Sequence, residues 1–250
     1  MRRRRLSLLA GLFGAALSAA ATGQDRGAVR TGYKEPVYPD NLLKTQMQGN
    51  VLLVGRIDSR GNLTDLRAIA TSHRDFVAPA LAAVQEWRFQ PALRDGHPAE
   101  IFANVGVRFR LQGQKRGALP TPILGDIAVS PADEAGRKTA PEGFPLRRGR
   151  DPALRAEALL DVPPRPELRT LAVKVQAISP RGRQIPVFQP PVAVPANASE
   201  VRIPVVARVG GDWEEGVWML RFNVDGKSAG GGQFWLAADP AHFSFVIPRQ

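Results

Sequence analysis

Gly49-Asn50-Val51-Leu52-Leu53-Val54-Gly55-Arg56-Ile57-Asp58, followed by Arg60-Gly61-Asn62, is the stretch on which the fold turns. Val51, Leu53 and Ile57 alternate with residues of mixed type between Gly49 and Ser59-Arg60-Gly61-Asn62, which predicts a strand running into a hairpin turn. A second strand is expected over Leu63 to Thr71. There Leu66, Ala68 and Ala70 sit two apart and Arg67 faces the other way, as in a sheet with one covered face.

Working outward, the period changes at Asp75. Phe76, Val77, Ala80, Leu81, Val84 and Trp87 recur every three to four residues and predict an amphipathic helix of about three turns. Ser72 or Asp75 can cap it, and Pro79 falls in the first turn, where a missing amide donor is harmless. Pro91 ends helical structure, and Asp95-Gly96-His97-Pro98 is a turn. Ala99 to Leu111 reads as a third strand with Ile101, Ala103, Val105, Val107 and Phe109 on one side. Trp87 and Phe89 are expected to anchor the helix on the sheet. Gly49, Gly61 and Gly96 are expected as turn residues, because no lysine or helix start follows them as a phosphate loop requires. A small antiparallel sheet with helices on one face, an α+β arrangement, accommodates this order.

Taken together, Val37-Tyr38-Pro39, the Gly49 strand, the Asp58 to Asn62 turn, the helix ending in Trp87-Arg88-Phe89 and Pro91, the Gly96 turn and the Phe109 strand resemble the C-terminal domain of TonB, the energy-transducing protein of the bacterial envelope. The resemblance covers residues 33–112, about a third of the chain. It implies recognition of an extended peptide, such as a segment of an outer-membrane transporter, by pairing with the edge of the last strand. By position, the implied partner-binding residues are Glu35, Pro36, Val37, Tyr38 and Pro39 before the first helix, with Ile101, Ala103, Val105, Val107 and Phe109 in the strand. Stiffening of the lead-in is the competing reading for Pro36 and Pro39.

The family places a membrane helix and a long proline-rich spacer before this domain. Here Arg2 to Arg5, the uncharged Leu6 to Ala21 and the small residues Ala19 and Ala21 form a secretory signal layout over residues 1–23. Sixteen residues rich in Ala and Gly fall short of the roughly 20 a spanning helix needs. Cleavage predicts a periplasmic protein, and an uncleaved signal would leave it anchored in the inner membrane. Residues 24–32 read as a short linker. About a dozen residues separate the hydrophobic segment from Tyr38, and fully extended they reach on the order of 40 Å.

The formal charge of +11 drops by the four arginines Arg2 to Arg5 to +7, spread along the rest of the chain. Residues 24–112 hold 12 basic and 9 acidic side chains and residues 113–250 hold 18 and 14, so neither part is a basic arm. Nucleic acid is therefore not an expected partner. Anionic lipid heads or a cell-wall polymer remain as electrostatic partners. With no cysteine in the chain, disulfides, thiol chemistry and lipidation after the signal are excluded.

Residues 113–150 are rich in Gly, Pro, Arg and Ala and read as a linker. Over 151–250, strand-like runs recur at Leu154 to Val162, Leu171 to Ile178, Val201 to Val209, Val217 to Val224 and Gln233 to Ala237. They suggest an all-β sandwich generically similar to immunoglobulin-like modules, without their cysteine signature. Gly230-Gly231-Gly232 is expected within a flexible hairpin connection. Trp218 and Trp235 are expected in the core by alternation, whereas Trp213, beside Asp212, Glu214 and Glu215, could lie in the core or meet a partner from an exposed loop.

An enzyme finds no constellation here. His73, His97 and His242 lack zinc-hydrolase spacing, and no Gly-x-Ser-x-Gly elbow occurs. Asp212, Glu214 and Glu215 could hold a cation weakly or form a solvated loop. No cofactor or metal is expected. The sequence therefore points to a non-enzymatic periplasmic TonB-like binding or adaptor protein. The alternatives are an energy transducer held by an uncleaved anchor and, from another class, an envelope hydrolase.

Overall fold

The computed structural model describes residues 24–111, 121–187 and 189–238; the expected signal segment and His242 lie outside them. The first half contains β1 (Val29–Gly32), α1 (Asp40–Lys44), β2 (Gly49–Ile57), β3 (Leu63–Thr71), α2 (Val77–Gln85), β4 (Arg88–Gln90), β5 (Ala92–Arg94), β6 (His97–Ala99) and β7 (Ile101–Phe109). Its main sheet has the order β3-β2-β7, all antiparallel. The hairpin between β2 and β3 is closed by Asp58, whose carboxylate accepts the backbone N–H groups of Arg60 and Asn62, while Gly61 takes φ +83°.

Central strand β2 is buried along both faces, which its run Val51-Leu52-Leu53-Val54 makes possible. Val51 and Leu53 join Leu42 of α1, Phe76, Ala80 and Val84 around α2, and Val107 and Phe109 of β7 in one apolar cluster. Leu52 points the other way, into the core of the second half. Each of the Val, Leu and Phe side chains, fully buried, contributes about 1.5–3 kcal/mol. A short 3₁₀ turn, Arg74–Phe76, leads into α2 and is capped by His73, which accepts the Asp75 N–H, rather than by Ser72 or Asp75. The hydroxyl of Ser72 instead accepts from the backbone N–H of Asn50, across the sheet. Gly49 is no turn residue: it opens β2, and a Cβ there would lie 2.0 Å from Ser72 Oγ and 2.6 Å from a Phe76 ring carbon.

The second half contains β8 (Ile123–Ala132), β9 (Leu146–Arg147), β10 (Ala153–Asp161), β11 (Arg169–Leu171), β12 (Val173–Ile178), β13 (Gln184–Val187), β14 (Val192–Val194), β15 (Glu200–Arg208), β16 (Gly216–Val224) and β17 (Lys227–Ala237). Two sheets, ordered β15-β10-β8 and β13-β12-β16-β17-β9, contribute to one apolar cluster that includes Leu154, Leu160, Ile203, Trp218, Phe222 and Phe234.

Several expectations are corrected. Within the stretch read as linker 113–150, β8 is a ten-residue strand paired along its length with β10. Pro131 is tolerated because it lies at an edge and its missing donor would face away from β10, on the side where its carbonyl accepts Thr139 N–H. In the expected linker 24–32, β1 pairs with β4, and Arg26 bridges Leu93. The turn between β16 and β17 is only Asp225-Gly226, both at positive φ, as a two-residue hairpin requires. Gly230-Gly231-Gly232 therefore belongs to β17. A Cβ at Gly231 would lie 2.3 Å from the Leu220 carbonyl oxygen, and one at Gly232 would lie 2.7 Å from an Ile127 methyl. Trp213 is buried and stacked on Trp218 at 4.4 Å, whereas Trp235 is only half-buried, edge-on to Phe102.

The two halves share polar contacts. Buried Asn50 of β2 donates to the carboxylate of buried Asp161 of β10, which Arg110 also reaches at 3.3 Å. Asn104 of β7 exchanges two hydrogen bonds with the Gln233 backbone of β17, at 2.9 and 3.2 Å.

Candidate functional site

The lead-in to the first helix is organised by Trp87. Its indole N–H donates to the Lys34 carbonyl at 2.9 Å, and the Tyr33 ring lies 5.2 Å away. The Arg30 guanidinium sits 4.8 Å over Tyr33 and 4.5 Å over Trp87, a cation–π arrangement. The chain then turns inward at Tyr38, whose ring meets Phe76 and Phe109 edge-on, each at 5.7 Å. The Tyr38 hydroxyl donates to the Met47 carbonyl, and burial raises its pKa above the ordinary tyrosine value despite the nearby Arg110 charge.

The structure thus brings Tyr38 and Phe109 together. Val107 lies in the same cluster and Val105 packs against it, while Ile101 and Ala103 belong to a neighbouring cluster with Ile57, Ala92 and Phe144. Glu35 and Val37 stay exposed, Val37 at 74%, and Pro36 and Pro39 are half-buried. The odd-numbered side chains of β7 are spent on packing. What these positions leave to meet a partner is the strand's backbone.

On its outer side β7 has no ladder neighbour among the described residues. Phe102 donates its N–H away from β2 to the Gly143 carbonyl at 2.9 Å, so the even positions Asn104, Gly106 and Arg108 also face outward. Gly143 in turn donates to the Val129 carbonyl at 2.9 Å, bridging the outer edges of β7 and β8. At the other end β7 and β8 touch: a Cβ on Gly106 would lie 2.1 Å from the Gly125 carbonyl oxygen. Between these points lies a cavity of about 170 Å³, bounded by Ala103, Asn104 and Val105 of β7 and by Asp126 to Val129 of β8.

Asn104, Gly143 and β8 were not indicated by sequence reasoning. The turn-prone Pro141-Glu142-Gly143 is the one local signal, and it carries no information about what that turn abuts. The acidic loop is paired rather than open: Asp212 with Arg183 at 2.7 Å, Glu214 with Arg181 at 3.1 Å and Glu215 with Arg148 at 4.0 Å. Of the histidines, His73 is the cap described above and His97 is exposed on β6. Among the described residues no group of three or more His, Cys, Asp or Glu is placed to hold a metal, and no helix is long and apolar enough to cross a membrane.

Residues 34–111 match the family described as Gram-negative bacterial TonB protein C-terminal. Protein TonB of Vibrio cholerae is 28% identical over 90 residues, which cover 36% of this chain and 37% of that protein. Protein TonB of Xanthomonas campestris pv. campestris is 31% identical over 77 residues, covering 30% of this chain and 34% of its own. The chain thus spans about a third of the length of these curated relatives. A solved structure, the Pseudomonas fluorescens alkylpurine DNA glycosylase AlkC bound to DNA containing an abasic site analog, is similar over 47% of this chain and 30% of its own, at a TM-score of 0.35 and 15% identity, too loose a likeness to carry an argument.

Proposed function

We propose that this chain, whose residues 34–111 form a TonB C-terminal domain, is a non-enzymatic periplasmic adaptor that recognises an extended peptide through the outer edge of β7. An outer-membrane transporter segment or another envelope protein is the partner of this reading, and the second half, read as a β-sandwich, supplies a further contact. The observation that carries it is the outward-facing backbone of β7 at Asn104 and Gly106, beside the cavity. Backbone groups at a sheet edge give affinity without requiring a particular side chain. The gap between the Gly143 bridge and the Gly106 contact is short. Pairing along all of Ile101 to Phe109 therefore requires β8 and the Gly143 turn to move aside.

The test is site-directed photo-cross-linking in intact cells from Val37 and from Ala103. The reading expects the same envelope protein to be captured from both positions, with the Ala103 product lost when Asn104→Pro removes an outward donor. Capture from neither position, or of unrelated proteins from the two, overturns it.

A second reading, an energy transducer held by an uncleaved signal, is favoured by the TonB relatives named above. Mass spectrometry of the mature N-terminus decides it: a chain beginning near Thr22 or Gln24 has no anchor there.

A further inference from the structure

The outer face of the β15-β10-β8 sheet is built in rows. Asp126, Leu159 and Arg202 lie opposite one another across its strands, and Ala128, Glu157 and Pro204 form the next row. With strands about 4.8 Å apart, the Cα atoms of Asp126 and Arg202 are about 10 Å apart, with Leu159 between them. Over this face runs a groove of about 600 Å³, which Arg108 and Glu142 also line. That volume falls in the roughly 300–1,000 Å³ range of small-ligand sites.

The charges along the groove are unequally committed. Arg155 is tied to Glu157 at 3.0 Å and to the Gly136 carbonyl at 3.2 Å. Arg108 lies 3.8 Å from Glu200. Asp126, Glu142 and Arg202, by contrast, make no ion pair among the described residues. Asp126 and Glu142 also line the adjoining cavity beside β7, so they stand together where the two spaces meet.

Both carboxylates line concave walls and are crowded by protein while still open to solvent. Burial raises the Asp126 pKa, with Asp161 adding to the rise and the Ile127 N–H and Arg108 opposing it. Burial raises that of Glu142 too, with Asp126 and Glu157 adding and Lys138 opposing. A cation arriving between the two carboxylates would offset the repulsion of Glu142 by Asp126. At the far end Arg202 is open to an anion.

We infer that this groove binds a short zwitterionic peptide, its ammonium between Asp126 and Glu142, its carboxylate on Arg202 and its backbone lying over Leu159. About three extended residues match the 10 Å between the Cα positions of Asp126 and Arg202. Binding is across the sheet face and not along β15, because Pro204 sits at an outward position of that edge and removes a donor that a pairing strand would need. The site adjoins the β7 edge at Asp126 and Glu142 but takes its ligand on the sheet face, and the cross-linking outcome above does not decide it.

Isothermal titration calorimetry of the whole protein with trialanine bearing free termini tests the inference. Saturable binding is expected, about tenfold weaker for N-acetyl-trialanine and for trialanine amide. The double variant D126N/E142Q and the single variant R202Q are each expected to weaken binding of free trialanine about tenfold. Their unfolding temperatures should not fall below the wild-type value, because all three side chains are exposed and the two carboxylates have raised pKa values, so neutralising them removes no stabilising charge. The absence of saturable heat up to about 10 mM trialanine, equal binding of the blocked peptides, or wild-type binding by the folded variants overturns it.

Discussion

The β3-β2-β7 sheet and the β15-β10-β8 sheet have the same number of strands and opposite surroundings. In the first, β2 is buried on both faces, with the helices on one side and β8 and β17 of the second half on the other. In the second, β10 alternates: Leu154, Ala156, Ala158 and Leu160 are buried, while Arg155, Glu157 and Leu159 line an accessible groove. A sheet covered on both sides cannot stand as an independent layer. The TonB-type domain of this chain is thus stabilised by its second half, and substitutions at the junction should be felt in both.

The largest expected effect follows from Asp161→Ala. It leaves Asn50 and Arg110 facing a void at a buried site, and breaking a buried charge pair from one side costs about 3–5 kcal/mol. In urea, the tryptophan fluorescence transition and the circular dichroism transition should shift together. If they separate, the halves are independent and the comparison fails. Next, Gly231→Ala should cost about 1–3 kcal/mol by overpacking against Leu220. A thermal melt measures it, and a neutral result would mean that β17 can relax away from its neighbours.

A smaller effect concerns Asp58, whose pKa is held below the ordinary carboxylate range: burial opposes this, but the hydrogen bonds from Asn62 and Arg60 outweigh it. Its contribution is present above the unfolded value of about 3.9 and is lost as pH falls through the lower folded value. The stability difference between wild type and Asp58→Asn should therefore shrink in acid. A gap that persists unchanged at low pH would assign the turn's stability to something other than the carboxylate. Smallest of all is Lys34→Ala: its partner Glu86 is 3.2 Å away but both are exposed, so stability should move by less than about 0.5 kcal/mol.

These contrasts explain which parts of the chain could be read in advance. The first half announces itself because β2, β3, α2 and β7 each bury a face with its own period, and Asp58 to Asn62 closes a turn using only its own atoms. In the second half the informative residues answer to distant neighbours. Gly231 and Gly232 look like a loop until Leu220 and Ile127 are seen against them. Pro131 argues against a strand unless its place at a sheet edge is known. The candidate site divides in the same way: Tyr38 and Phe109 can be placed from their motif, but nothing local to Gly143 or Asn104 says that one bridges β7 to β8 and the other fastens β7 to Gln233.

Gly143 has a consequence for the protein's behaviour at high concentration. Two sheet edges that could each template a second copy of the chain are joined by a single residue, through its one donor and one acceptor. The same link that restricts access to β7 also guards against runaway self-association, so loosening it to admit more partner peptide would carry a solubility penalty.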